Sequence, residues 1–153
     1  MNAWSNLPNA KHIDWVLDSL KSNIDIWNQA WNQAWEQASD QAWNQVWNQA
    51  YDQARDQVWN QARVKAYNQA RDQAWSQAFA IKAYDQARDQ ARIQAWNQVY
   101  GVLLALIAYD DCDQYLAMTF DELKTWALIS ENSQAILLLP MVYVKEQINE
   151  CLV

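Results

Sequence analysis

From residue 27 to residue 99 the chain repeats a four-residue unit: Trp, Tyr or Arg, then Asn or Asp, then Gln, then Ala or Val. It opens as Trp27-Asn28-Gln29-Ala30 and closes as Trp96-Asn97-Gln98-Val99. A period of four lies close to the helical 3.6, and Ala and Gln are good helix formers, whereas a strand needs a period of two and branched residues. The pattern predicts helix. With Ala at zero on the helical wheel, the ring or Arg position falls at about 100°, Asn/Asp at about 200° and Gln at about 300°. Ala and the ring make one face, and Asn/Asp with Gln make the other.

Four residues turn through about 400°, so each stripe drifts by about 40° per unit. No straight partner follows such a face for long, and successive segments must bury against different neighbours or coil right-handedly. One continuous rod would be roughly 110 Å long, while a compact domain of this size has a radius of gyration near ~15 Å. A compact monomer must therefore break it. Two places offer a break: Ser39-Asp40, where a small capping residue replaces the ring, and Phe79-Ala80-Ile81-Lys82-Ala83, which inserts one residue into the phase.

The flanks read differently. Residues 1–8 form a loose leader ending at Pro8, and a helix over 9–22 comes next, with Asn9 as its cap and Ile13, Val16, Leu17 and Leu20 on its apolar face. Ser22-Asn23 suggests a joint. At Tyr100-Gly101 the composition changes, and Val102 to Ala108 reads as a buried helix ending at Asp110-Asp111. Thr119 with Glu122 makes a capping box, with Met118 and Leu123 as its hydrophobic staple. Ser130 to Ser133 reads as a turn, Pro140 interrupts the apolar run after it, and a last helix covers roughly Val142 to Cys151. The fold class is all-α in a single domain over 1–153: the N-terminal helix, tetrad-repeat helices over 27–99, and a small hydrophobic helical cap over 100–153. The rival, a β-solenoid of tetrads, would force a Trp or Arg and a Gln into a narrow core in every unit.

Composition agrees with continuous helices, with 52% hydrophobic residues, 11 Trp, 1 Gly and 2 Pro. The net charge of −7 argues against a double-stranded DNA binder, which needs clustered excess Lys and Arg. The charge is uneven: residues 27–100 balance seven acids with seven bases, and the C-terminal segment is the acidic part. No apolar run approaches the ~20 residues that span a bilayer. With two isolated cysteines, Cys112 and Cys151, and no apparent signal peptide, a reduced cytoplasmic setting is expected.

The tetrad run joined to Ala105-Leu106-Ile107-Ala108-Tyr109-Asp110-Asp111-Cys112 and then to Leu137-Leu138-Leu139-Pro140 resembles proteins of no established activity encoded in bacteriophage and bacterial genomes. Those too pair low-complexity helical repeats with an "ALIAYDDC…LLLP" tail. The resemblance implies a phage-like accessory protein acting in the host cytoplasm, and contributes no site residues.

Candidate chemistry is sparse. His12 stands alone and reads as a helix-surface histidine. Asp110-Asp111-Cys112-Asp113 lacks the ligand order, turn Gly and final Glu of a calcium loop, and has no second Cys or His nearby for zinc, so it reads as a solvated helix end. Neither a catalytic constellation nor a metal site is expected, and no cofactor is implied. The ring position is more informative. Through the middle of the repeats, starting from the ring of Tyr51, it alternates Arg55, Trp59, Arg63, Tyr67, Arg71 and Trp75, with Arg88 and Arg92 further on. As structure, this is a stripe of cation–π neighbours. As a site, rings stack on a base and Arg forks hold a phosphate. Two functions of different class are open: a noncatalytic binding protein that captures an anionic, nucleotide-like small molecule or a host protein on this wall, or a structural protein whose drifting stripe is completed by further copies of itself. A homo-oligomer suits either.

Overall fold

The computed structural model describes residues 2–36, 40–59, 61–79, 86–129 and 134–151; the side chains of some helical residues at the edges of these spans, Arg88 and Arg92 among them, lie outside the description. Among the described residues every regular element is an α-helix. They are α1 (Ala10–Ser22), α2 (Ile24–Glu36), α3 (Asp40–Val58), α4 (Gln61–Phe79), α5 (Gln86–Ala108), α6 (Asp113–Leu116), α7 (Phe120–Ile129), α8 (Gln134–Leu137) and α9 (Leu139–Cys151). No strand occurs among them, so the β-solenoid is set aside. No described helix is long and apolar enough to cross a membrane.

The repeat unit sorts its four positions by burial. The Ala/Val position is buried at Ala30, Ala50, Ala54, Val58, Ala66, Ala70, Ala74, Ala95 and Val99 and half-buried at Val46, while Asn32, Asn44, Asp52, Asp72 and Asn97 face solvent. Small side chains at the seam let neighbouring helices approach closely. The ring position varies with its place: Trp27 and Trp96 are buried, Tyr51 is half-buried and Trp59 is exposed. This is the expected drift of the stripe. Gln is exposed or partly so at most described positions, but Gln98 is only 1% exposed, and both polar atoms of its amide lack a partner.

The tetrad stretch is divided into α2, α3, α4 and the first half of α5. Ser39 lies outside the described residues, but α2 ends at Glu36 and α3 begins at Asp40; Ala80 to Ala83 also lie outside, between α4 and α5. A third division comes at Trp59, between α3 and α4, where the tetrad phase is uninterrupted. The expected boundary at Tyr100-Gly101 is a change of composition and not of secondary structure, because α5 runs through it. This helix, roughly 35 Å long, is the axis of the molecule. It packs against α2, α3 and α4, and also against α1, α8 and α9. From Val99 the described surroundings close around it, and Val102 to Ala108 are all buried. Each Leu taken fully from water there contributes about 1.5–3 kcal/mol.

The N-terminal segment is not the loose leader that its composition suggests. Trp4 is wholly buried, its indole Nε1 donates to Asp14 Oδ1 at 2.9 Å, and the Ala3 amide donates to Gln69 Oε1 of α4 at 2.6 Å. One large ring outweighs eight residues of otherwise loop-like sequence. Asn9 takes the N-cap position of α1, but its side chain makes no cap bond there. It donates instead to the carbonyls of Leu106, at 2.7 Å, and Tyr109. At α7 the expected pair Thr119 and Glu122 meet: the Glu122 amide donates to Thr119 Oγ1 at 3.2 Å and the Thr119 hydroxyl donates to Glu122 Oε1 at 3.0 Å, while the Phe120 amide donates to Glu146 Oε1 of α9 at 2.6 Å.

The C-terminal end of α5 is fully accounted for. A helix leaves its last four carbonyls without intrahelical partners, and here all four are met. Ala105 O accepts from the Tyr109 amide at 3.1 Å and faces the Cys112 thiol at 3.8 Å; Leu106 O accepts from Asn9. Ile107 O and Ala108 O both accept from Arg63 Nη1, while Arg63 Nη2 bonds Asp110 Oδ1 at 2.7 Å. A cation at this end also complements the helix dipole.

Candidate functional site

A cleft of about 330 Å³ opens where α3 and α4 meet over α5. Its walls keep to helical spacing. Tyr51, Arg55 and Val58 come from α3, with Trp59 just beyond it; Val64, Tyr67 and Arg71 come from α4 with Asn68; Tyr100 and Leu104 of α5 make the floor. The i, i+4, i+7 and i, i+3, i+7 steps place each set on one side of its helix.

Tyr100 is the hub. It stacks on Tyr51 with centroids 5.9 Å apart and planes at 19°, and meets Tyr67 edge-on at 5.5 Å and 78°. Trp96 also approaches it, at 5.8 Å and 71°, and Trp75 packs on Trp96 at 5.1 Å. Arg71 lies 5.8 Å over the Tyr67 ring. Burial pushes the phenols of Tyr51 and Tyr67 up, and the neighbouring Tyr100 adds to the effect. At Tyr100 burial also acts upward, but the hydroxyls of Tyr51 and Tyr67 and the Arg71 guanidinium outweigh it, and this phenol lies below its ordinary value. Two neutral hydroxyls and one polarised one therefore share the floor. Tyr67 is 7% exposed, and its hydroxyl, although near Tyr100, meets no partner at hydrogen-bonding geometry.

Of the eight residues expected on the wall, Arg55, Trp59, Tyr67 and Arg71 come together in this cleft. Arg63 does not. Its guanidinium is committed to the end of α5, and the reason is geometric: after the turn at Trp59 the drift carries the next ring position toward the α5 terminus instead of the cleft. Trp75 lies outside the lining but supports it through Trp96. Arg88 and Arg92 sit in α5 with side chains outside the description. The cleft also contains residues that the wall pattern did not single out. Tyr51 was legible as the first ring of the alternation; Tyr100 was not, because it stands after the last tetrad. Val64, in the place of an Asn or Asp, is an overlooked signal that the next helix buries a different face.

A second cluster joins elements distant in sequence. His12 Nε2 lies 2.6 Å from Asp113 Oδ1, and its Nδ1 lies 3.5 Å from Lys145 Nζ, which stands 5.3 Å over the Trp15 ring. His12 is thus not an ordinary surface histidine. Nor is the Asp110 to Asp113 segment simply a solvated helix end: Asp110 pairs with Arg63, Asp113 with His12, and Cys112 is wholly buried. Burial and the surrounding carboxylates push the Cys112 thiol up to about 12, which makes it a poor nucleophile at neutral pH.

Compared with known proteins, the chain matches no family model, no curated protein and no solved structure.

Proposed function

We propose that the protein is a noncatalytic binding protein whose α3–α4–α5 cleft captures an anionic, ring-bearing ligand of the nucleotide-like kind. The observation that carries this reading is the convergence of Tyr51, Tyr67 and Tyr100 with Arg55 and Arg71 about one cleft of about 330 Å³. Pockets for small molecules begin near ~300 Å³ and combine apolar walls with a few placed polar groups. Val58, Val64 and Leu104 supply the walls, the phenols supply the polar groups, and the two guanidiniums supply forks for an anion. In a phage-like accessory role, capture would withhold the ligand from a host system.

The test is a thermal-shift screen of nucleotides and aromatic acids against the parent and Arg71→Gln. Several anionic compounds should raise the melting temperature of the parent, and the rise should shrink in the variant and depend less on salt. A parent that responds to no anion would refute capture.

A second reading is self-association, favoured by the 48% exposure of Trp75 and the 47% exposure of Ile93. Trp75 packs on Trp96, and Ile93 lies one turn before Trp96 on α5. A concentration-dependent mass in light scattering that Ile93→Lys abolishes would support it.

A further inference from the structure

The cleft's own charges select among anions. Arg55 Nη2 lies 3.3 Å from Asp52 Oδ1, and Arg71 Nε lies 3.8 Å from Asp72 Oδ1. Formally the four charges cancel. Both carboxylates are solvent-exposed, at 63% and 77%. A polyphosphate would bring several negative charges beside them, and the two cations already in partnership cannot offset all of these. A single negative charge meets a different balance. Each guanidinium has five N–H donors, of which the carboxylate contact occupies few, so donors on both walls are left for one anionic group.

The inner end makes a separate demand. The buried Tyr67 hydroxyl makes no hydrogen bond of acceptable geometry, although the Tyr100 hydroxyl lies near it, and Val58, Val64 and Leu104 in the same lining have no side-chain acceptors to offer. Leaving a buried donor unmet is costly, and a ligand acceptor relieves that cost on binding. Between the two ends lie aromatic faces: the Tyr51–Tyr100 stack within and Trp59, 70% exposed, at the mouth.

From this arrangement we infer that the occupant is a flat heteroaromatic monoanion of mononucleotide size or smaller, with a ring acceptor on Tyr67 and its one negative charge between Arg55 and Arg71. A cyclic mononucleotide, which carries a single phosphodiester charge, and a heteroaromatic carboxylate share this chemistry. The inference rests on the reading of the cleft as a ligand site and narrows it.

Isothermal titration of the full chain with a charge-graded panel tests it: adenosine, adenosine 3′,5′-cyclic monophosphate, adenosine monophosphate, adenosine triphosphate and nicotinate, whose pyridine nitrogen is a ring acceptor. At least one of the two monoanions should bind tightest, and which one it is tells phosphodiester from carboxylate. Adenosine, lacking the charge, and the triphosphate, carrying too much, should each bind about tenfold more weakly. Tyr67→Phe should weaken the preferred monoanion about threefold to tenfold. Without ligand this variant should melt at the parent temperature or above, because Phe removes an unmet hydroxyl. A lower melting temperature would mark that hydroxyl as structural and overturn its role, as would unchanged binding. If the triphosphate binds tightest, the single-charge inference fails while the ligand site stands. If no compound binds, both fall together.

Discussion

Arg63 and Arg71 occupy equivalent places in the repeat two units apart, yet the fold gives them different work. Arg63 reaches the carbonyls of Ile107 and Ala108 and the carboxylate of Asp110. Arg71 stays at the cleft, beside Asp72 and over Tyr67. Hydrogen bonds from a charged donor are worth about 1.5–3 kcal/mol, and removing this donor leaves two helix-end carbonyls unmet. Arg63→Gln should therefore destabilise the protein by roughly 2–4 kcal/mol, whereas Arg71→Gln, losing an exposed pair and a weak cation–π contact, should change stability by less than about 1 kcal/mol. Urea denaturation of the two variants checks this, and equal midpoints would show that Arg63 is not holding the end of α5.

Among the elements, α5 is closely approached by α3 at its one glycine. A Cβ placed on Gly101 would lie 2.9 Å from Trp47 Cζ2 of α3 and 3.7 Å from Leu137 Cδ2 of α8. A β-branched side chain there must push the Trp47 ring aside, and overpacking of this kind costs about 1–3 kcal/mol. Gly101→Val should accordingly lower the melting temperature and change the tryptophan near-ultraviolet signal, and a variant as stable as the parent would show that Trp47 moves freely. The sequence announced Gly101 only as the start of a new composition. Helical period and apolar spacing were legible because they are local: the all-α class, the face of α1 and the seam of Ala positions are all set by neighbours within two turns. The turn at Trp59 was not legible, since Trp59-Asn60-Gln61-Ala62 keeps the tetrad intact and the chain turns there only because α5 is available to pack against both arms. For the site, the ring-and-Arg alternation pointed to Arg55, Trp59, Tyr67 and Arg71, but the hub Tyr100 and the diversion of Arg63 depend on contacts more than thirty residues away.

At the scale of the whole molecule, the N-terminal helix is tied to the C-terminal half through His12, Asp113 and Lys145. Burial lowers the His12 pKa from its ordinary value; the hydrogen bond to Asp113 acts against this, and the charges of Lys145 and Lys11 act with it. A histidine whose folded value lies below its unfolded one stabilises the fold above the unfolded pKa, near ~6.5, and loses that contribution as pH falls through the folded value. Melting temperature should thus decline as the solution is acidified from pH ~7 to ~5, ahead of most carboxylate titration, and His12→Gln should flatten the decline. Parallel curves for parent and variant would show that acid acts elsewhere.

The turn inside an unbroken tetrad has a consequence for how such a gene can change length. Repeated units are readily gained or lost in replication, and one more unit would lengthen a helix by about 6 Å and rotate every residue downstream in that helix by about 40°. Inserted between Tyr51 and Arg55, it would carry Arg55 and Val58 away from Tyr51; inserted between Tyr67 and Arg71, it would separate those two side chains. On the proposed reading of the cleft as a ligand site, the copy number across this span is constrained even though each copy by itself looks interchangeable, and length variation is compatible with that site only in units outside it.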